Sequence, residues 1–336
     1  MDVMNLKPFP ETGCIHALRV PLPGMQDLIC SNMYVLGTGP VTLIDSAPKF
    51  QGSLSTVQSQ LADLGFSWAD VERIIITHGH IDHFGLVGQI RSQAGHEIPC
   101  YIHEEDRWRL GSDHLKSGMW SAESDLFAAM AGMPAKEVEL MKRRSHFFKN
   151  LCDPVDDALI MRDKDTFTGE GYELTVIHTP GHSPGCCCLY ESVQQVLFSG
   201  DHLIKHITPN PFHEIYRSRL RDKSYQSLRV YLESLDRIEG IAARYVFPGH
   251  GDHIEDLSGL ISGYREHHRD RTEALGALLK NGPQQLYGLV GEIFPHIGAG
   301  EASLAVSEIL VHLEILMNEG RAVLSDDGPP ALYVAA

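Results

Sequence analysis

No apolar run in the chain approaches the roughly 20 residues needed to span a bilayer. Its opening, Met1-Asp2-Val3-Met4-Asn5-Leu6, lacks a basic region followed by an apolar core. A cytoplasmic protein with no membrane partner is therefore expected. Basic residues are scarce: 28 Lys and Arg stand against 44 Asp and Glu, a formal charge of −16. Gripping a phosphate backbone over a broad face needs the opposite balance, so no nucleic-acid partner is expected. The seven cysteines contain no CxxC pair, and an odd number cannot all be paired internally. Cys186-Cys187-Cys188 read as small buried hydrophobes of a strand rather than as a redox or metal cluster. There is no internal repeat or low-complexity tract. What remains, 43% hydrophobic and 21% charged residues, is the composition of a folded globular protein.

What the chain does have is histidine, 19 in all. Thr77-His78-Gly79-His80-Ile81-Asp82-His83 sets four metal-binding side chains within six residues, directly behind the apolar run Ile74-Ile75-Ile76. Side chains repeat every second residue along a strand, so His78 and His80 project to one side. Asp82 and His83 turn back toward the same point from the following loop or helix start. Neutral imidazole is the commonest transition-metal ligand, and a carboxylate extends the set. A polar cap on a buried strand would account for one or two of these residues but not for four.

Short β-branched runs alternate with helical patterns in the first half. Strands are expected at Ala17–Val20, Ser31–Leu36, Val41–Asp45, Val71–Thr77 and Pro99–His103, and helices at Ser53–Leu64 and Phe84–Ala94. From about 104 to 164 strand signals vanish. Segments rich in Met, Trp and Phe, such as Ala122–Met130 and Ala135–Lys149, predict a helical insertion with an apolar wall. Strands resume at Glu173–His178, Cys186–Glu191 and Val196–Ser199, then a helix at Lys223–Ile238 and a last strand at Tyr245–Phe247. Beyond about Leu257 the chain is expected to be helical to Leu316, followed by a hairpin of Gly320–Ser325 and Ala331–Val334. Helices followed by a hairpin suggest a winged-helix-like C-terminal domain. Acidic residues dominate there too, so packing or formation of a homodimer is its expected use. The expected division is 1–256 and 257–336.

Three later turns each place a potential ligand behind a strand end: Thr179-Pro180-Gly181-His182, Ser199-Gly200-Asp201-His202 and Pro248-Gly249-His250-Gly251. Glycine permits the close backbone approach that lets a loop wrap a metal. With HxHxDH at 78–83 followed by His182, Asp201 and His250, the chain resembles the metallo-β-lactamase-fold hydrolases over roughly residues 15–255. It is most similar to the glyoxalase II-like and lactonase-like branches with an extra C-terminal helical domain. The resemblance implies an α/β (α+β) fold, a four-layer αββα sandwich carrying the helical insertion and the winged-helix-like domain. It also implies two divalent metals, with zinc the expected ion and manganese or iron the alternatives. His78, His80 and His182 would hold the first, Asp82, His83 and His250 the second, and Asp201 would bridge them. Such a pair lowers the pKa of a shared water to give hydroxide near neutral pH, which attacks a carbonyl. Asp82 and Asp201 are the implied catalytic carboxylates.

Departures from the family pattern narrow the chemistry. His80 stands where diiron electron-transfer relatives carry Glu, which argues against oxygen or nitric-oxide reduction. Lactonases of this type often have Tyr three residues after the bridging Asp, where this chain has Ile204. Lys205, His206, Thr208 and Asn210 follow Asp201 and are candidates to line the pocket. His202 should face away from the metals and brace a ligand by a hydrogen bond rather than coordinate, and Asp45 could likewise brace a histidine. The expected function is a binuclear metal-dependent hydrolase of an ester or thioester with a small-molecule acyl substrate. A lactonase is the alternative, and a nucleic-acid-binding or processing protein using its C-terminal domain is a third hypothesis.

Overall fold

A computed structural model describes residues 6–25, 28–116, 120–216, 220, 222, 224–298 and 301–336. The opening residues 1–5 and Lys223, at which the sequence places a helix start, lie outside the described residues.

Strands β1 (Ile15–Pro21), β2 (Cys30–Leu36), β3 (Val41–Ile44), β4 (Val71–Ile75), β5 (Cys100–His103) and β6 (Leu159–Met161) form one sheet in chain order. A second sheet runs β11-β10-β9-β8-β7, built from β7 (Thr166–Gly169), β8 (Tyr172–His178), β9 (Cys187–Glu191), β10 (Val196–Gly200) and β11 (Tyr245–Pro248). Strand alternation decides which side chains meet. Tyr34, Leu36, Ile44 and Ile75 of the first sheet share a core with Leu174, Val176, Val196, Phe198 and Phe247 of the second. Their sequence neighbours Met33, Val35, Leu43 and Ile74 face the opposite way, onto helices α1 (Ser53–Asp63), α2 (Ile81–Phe84) and α3 (Val87–Ala94). The helical insertion contributes α4 (Ser112–Lys116), α5 (Ala122–Met130) and α6 (Ala135–Phe148). On the outer face of the second sheet, Leu197 and Val246 pack under α7 (Ser227–Glu239) and α8 (Leu257–Leu279). Leu228, Tyr231, Leu235 and Ile238 repeat at helical spacing, which turns one stripe of α7 onto the sheet. The result is the four-layer αββα sandwich.

The C-terminal segment continues with β12 (Gln284–Gln285), α9 (Leu286–Ile293), α10 (Ala302–Asn318) and the hairpin β13 (Ala322–Asp326) and β14 (Leu332–Ala335). β12 adds a third strand beside β14. Among the described residues no helix is long and apolar enough to cross a membrane.

Two expectations need correction. The insertion is not strand-free to 164, because Leu159–Met161 pairs in parallel with β5 and closes the first sheet's edge. Three residues are too few for an alternation signal to stand out. Nor is 84–94 one helix: it breaks around Gly85, where an added Cβ would lie 2.5 Å from the Leu151 carbonyl oxygen and 2.7 Å from Pro48 Cα. The insertion also does not pack alone. Ala128, Ala131 and Met133 join one hydrophobic core with Leu275, Leu289, Val306, Ile309 and Leu313 of the C-terminal helices. Two backbone bonds seal that contact, Tyr287 N–H to the Ala131 carbonyl and Ala331 N–H to the Met130 carbonyl, both 2.9 Å.

Candidate metal centre

β3 and β4 run parallel, as do β10 and β11, while β9 is antiparallel to both β8 and β10. The C-terminal ends of β4, β8, β10 and β11 therefore meet at one rim, which is where the candidate ligands emerge. The rim is clamped across the two sheets. Asn32 on β2 donates through Nδ2 to the carbonyls of Pro248 (2.9 Å) and Gly251 (3.0 Å), and Tyr34 Oη donates to Pro248 at 2.6 Å.

All seven candidate ligands come together there. His78 Nε2 lies 2.9 Å from His80 Nδ1, which lies 3.0 Å from His182 Nε2. Ligand nitrogens around a tetrahedral zinc sit roughly 3.3 Å apart, so this spacing suits an ion at the centre. His83 Nε2 and His250 Nε2 each approach Asp201 Oδ1 at 3.3 Å, and Asp82 Oδ2 is 3.4 Å from His250 Nε2. Asp201 Oδ2 turns to the other cluster, 3.6 Å from His182 Nε2.

Four of the five imidazoles are held through Nδ1, with Nε2 left for the centre. His250 Nδ1–H donates to the Cys30 carbonyl at 2.7 Å, and His182 Nδ1–H to the Asn210 carbonyl at 3.1 Å. His83 Nδ1–H donates to Asp45 Oδ2 at 2.9 Å. The same carboxylate oxygen takes the Thr77 hydroxyl (2.8 Å), whose oxygen lies 3.2 Å from His78 Nδ1 and can accept its proton. Asp45 thus braces two histidines, one directly and one through Thr77. Such partners fix tautomer and ring orientation.

The site's fit to a cation rests on atoms with nothing else to bind. His83 Nε2, His250 Nε2 and Asp201 Oδ1 are buried, make no hydrogen bond among the described residues, and face one another. Orphaned polar atoms of this kind cost free energy unless a ligand satisfies them. Burial pushes His78 well below its ordinary pKa and His80 to about 3, and lowers His182 as well, so these three present lone pairs at neutral pH. Burial opposes ionisation at Asp82 and Asp201, yet His250 and His83 hold both carboxyls below the usual range. Burial likewise opposes charge on His83, but Asp201 and Asp45 raise it, and against burial Asp201 and Asp82 lift His250 to about 10. The three carboxylates therefore draw positive charge into this half of the site, which a divalent ion can supply in place of protons.

Asp106 was invisible in the sequence and is central here. Its carboxylate, fully buried, accepts Gly79 N–H (2.8 Å), Gly185 N–H (3.0 Å) and the Ser183 hydroxyl (2.6 Å), tying the loop of His78 and His80 to that of His182. Arg109 donates through Nε to the same carboxylate at 3.2 Å and through Nη2 to Glu214. Asp106→Ala should leave the guanidinium short of a partner and release both ligand loops. The expected cost is about 3–5 kcal/mol of stability, read by chemical denaturation. Unchanged stability would show that Glu214 alone satisfies Arg109.

The pocket candidates divide. Thr208 and Asn210 line the cleft above the ligands, and Asn210 also acts through its carbonyl. Lys205 does not: it is exposed, and its ammonium donates to the His253 carbonyl at 3.2 Å. His206 is also outside the cleft, its ring against Gly251, where an added Cβ would lie 2.6 Å from it. His202 faces away as expected. Its ring packs against Tyr231 at 4.9 Å and makes no hydrogen bond among the described residues, so the bracing role open to it from its position next to Asp201 is not taken. The cysteines are free and buried.

The sequence profile of the Metallo-beta-lactamase superfamily matches residues 27–250. A probable metallo-hydrolase of Bacillus subtilis is 27% identical over 92% of this chain and 93% of its own length. An atrochrysone carboxyl ACP thioesterase of Aspergillus fumigatus is 24% identical over 70% of this chain and 55% of its own. Among solved structures, a metallo-beta-lactamase family protein of Thermus thermophilus superposes with a TM-score of 0.79 at 30% identity, covering 96% of this chain and 99% of its own. A beta-lactamase domain protein of Burkholderia ambifaria shares the fold, with a TM-score of 0.81 at 24% identity over 99% of this chain and 96% of its own.

Proposed function

Because the chain belongs to the metallo-beta-lactamase superfamily of metal-dependent hydrolases, we propose that it cleaves the carbonyl–heteroatom bond of an ester or thioester whose acyl part is apolar. In this reading His78, His80 and His182 hold one divalent ion, Asp82, His83 and His250 hold a second, and Asp201 lies between them. When bound, two such ions, preferentially zinc with this nitrogen and oxygen set, supply an acidified water and positive charge for the carbonyl oxygen. The chain's own residues do the rest. Asp45, Cys30 and Asn210 keep the imidazoles in the ligating tautomer. Asp82, with 15% of its side chain exposed and lining the cleft, is placed to take the proton released on attack and pass it to the leaving oxygen or sulfur.

The observation that carries the substrate class is the cleft. About 1190 Å³ in volume, it opens on His80, Asp82, His182 and Asp201. Its lining includes Phe127, Met141 and Phe148 of the insertion and Phe294 and Leu304 of the C-terminal segment. Apolar walls with a few convergent polar groups suit an acyl chain whose reactive carbonyl sits at the polar end. Ile204 also lines the cleft, where related lactonases often carry a tyrosine, so the ester or thioester reading is preferred. Nucleic acid is disfavoured by the acidic balance of the chain and by the engagement of three C-terminal arginines. Arg265 pairs with Asp236 (2.5 Å), Arg271 with Glu308 (3.6 Å) and Arg321 with Glu273 (2.7 Å).

Proton release measured by pH-stat tests the proposal, using metal-loaded protein and matched acyl thioesters, esters and lactones. Turnover of the open-chain substrates is expected, rising with acyl length and lost on chelation. A preference for lactones would move the assignment to that alternative. No acid release from any of them would remove the ester and thioester reading.

A further inference from the structure

Residues 207–216, free of regular secondary structure, pass beside the three-histidine cluster. Two contacts join this strap to the cluster. The Asn210 carbonyl takes the His182 Nδ1 proton, and the Phe212 ring lies edge-on to His80 and His182, with centroids 5.6 and 5.3 Å away. The other side of the strap is anchored on α10. His213 N–H donates to the Ser307 hydroxyl at 2.7 Å, Asn210 Nδ2 donates to the Leu304 carbonyl at 3.3 Å, and Glu314 Oε1 lies 3.4 Å from His213 Nδ1. Ser307 is 7% exposed and, with His312, is one of two buried polar residues on a helix whose buried face is otherwise apolar, through residues such as Ala305, Val306, Ile309 and Leu313.

We propose that α10 is a positioning element of the metal centre and that Ser307 is the residue through which it acts. The hydroxyl fixes the His213 amide, three residues from the carbonyl that sets the His182 tautomer. Without that anchor the Asn210 carbonyl can drift, and His182 Nε2 is no longer held toward His78 and His80. The Cys30 carbonyl that orients His250 comes from β2, so the second ligand cluster is independent of the strap. The proposal rests on the reading that the three histidines hold a metal. The core of α10 is large enough that losing one hydroxyl does not unseat the helix, which separates positioning from folding.

The test is a cobalt(II) titration of the metal-stripped full chain, followed by visible absorption, for the parent and Ser307→Ala. Partners of metal-bound histidines are typically worth 10–100-fold in affinity. One of two binding phases is expected to weaken about tenfold in Ser307→Ala while the other stays put. Asn210→Ala, which cuts the second anchor and leaves α10 intact, should weaken the same phase. Parent-like phases in both variants would overturn the proposal, as would equal weakening of both phases with a fall in thermal midpoint. A parent chain that takes up no cobalt would overturn the three-histidine reading as well.

Discussion

On the proposed two-ion centre, Asp201→Ala is expected to cut metal content from two ions per chain to one or none and to lower hydrolysis by on the order of a thousandfold or more. Asp201 Oδ1 lies 3.3 Å from both His83 Nε2 and His250 Nε2, and its second oxygen points to His182. Alanine would leave the two imidazoles facing one another with no anion between them. Ion-based carbonyl polarisation is worth several kcal/mol, and each 1.36 kcal/mol is a factor of ten in rate. Elemental analysis of the purified variant and pH-stat turnover read the two effects separately. Asp201→Asn sharpens the result, because it keeps the shape and removes the charge. If charge is what gathers the ions, this variant should behave like alanine. Full metal content with full activity in either variant would refute the bridging role.

A second large effect should come from a residue that binds nothing. A Cβ at Gly249 would lie 2.4 Å from Asp201 Oδ1 and 2.6 Å from His83 Cε1. Its backbone cannot yield, since Gly249 N–H donates to the Gly200 carbonyl at 2.8 Å and its own carbonyl accepts Asn32 N–H at 2.7 Å. Gly249→Ala must therefore push two candidate ligands while deleting none. Misplacing reacting groups by about 1 Å costs on the order of a hundredfold in rate, and overpacking costs about 1–3 kcal/mol in stability. Turnover should fall by that factor, with a loss of metal from the Asp82, His83 and His250 cluster. Parent-like turnover would mean that the turn relaxes, and that the glycine serves only the chain's path.

Much of the site was legible because metal chemistry writes itself locally. His78 and His80 alternate behind a β-branched run, and His182, Asp201 and His250 each follow a glycine at a strand end. Strands were legible for a similar reason, since Met33/Tyr34/Val35/Leu36 and Val196/Leu197/Phe198 show successive side chains to opposite faces, but their assembly into a sandwich was implied by the family resemblance and not by alternation. Asp106 had no such signature. Apart from Arg109, three positions on, its partners are 27, 77 and 79 residues away, so an aspartate before Arg107 and Trp108 looks like any surface carboxylate. Lys205 failed in the opposite sense, close in sequence to Asp201 yet turned outward.

By itself the sequence determined the candidate ligands, their order and the strands that carry them, since these depend on residue identity and short-range periodicity. Only the tertiary structure decided which carbonyls and carboxylates hold the imidazoles, and that β6 closes the first sheet. It alone brought the insertion and the C-terminal helices together over one cleft. Those outcomes are contacts between segments tens to hundreds of residues apart. They are selected by the burial and hydrogen bonding of the folded chain as a whole, which no local pattern encodes.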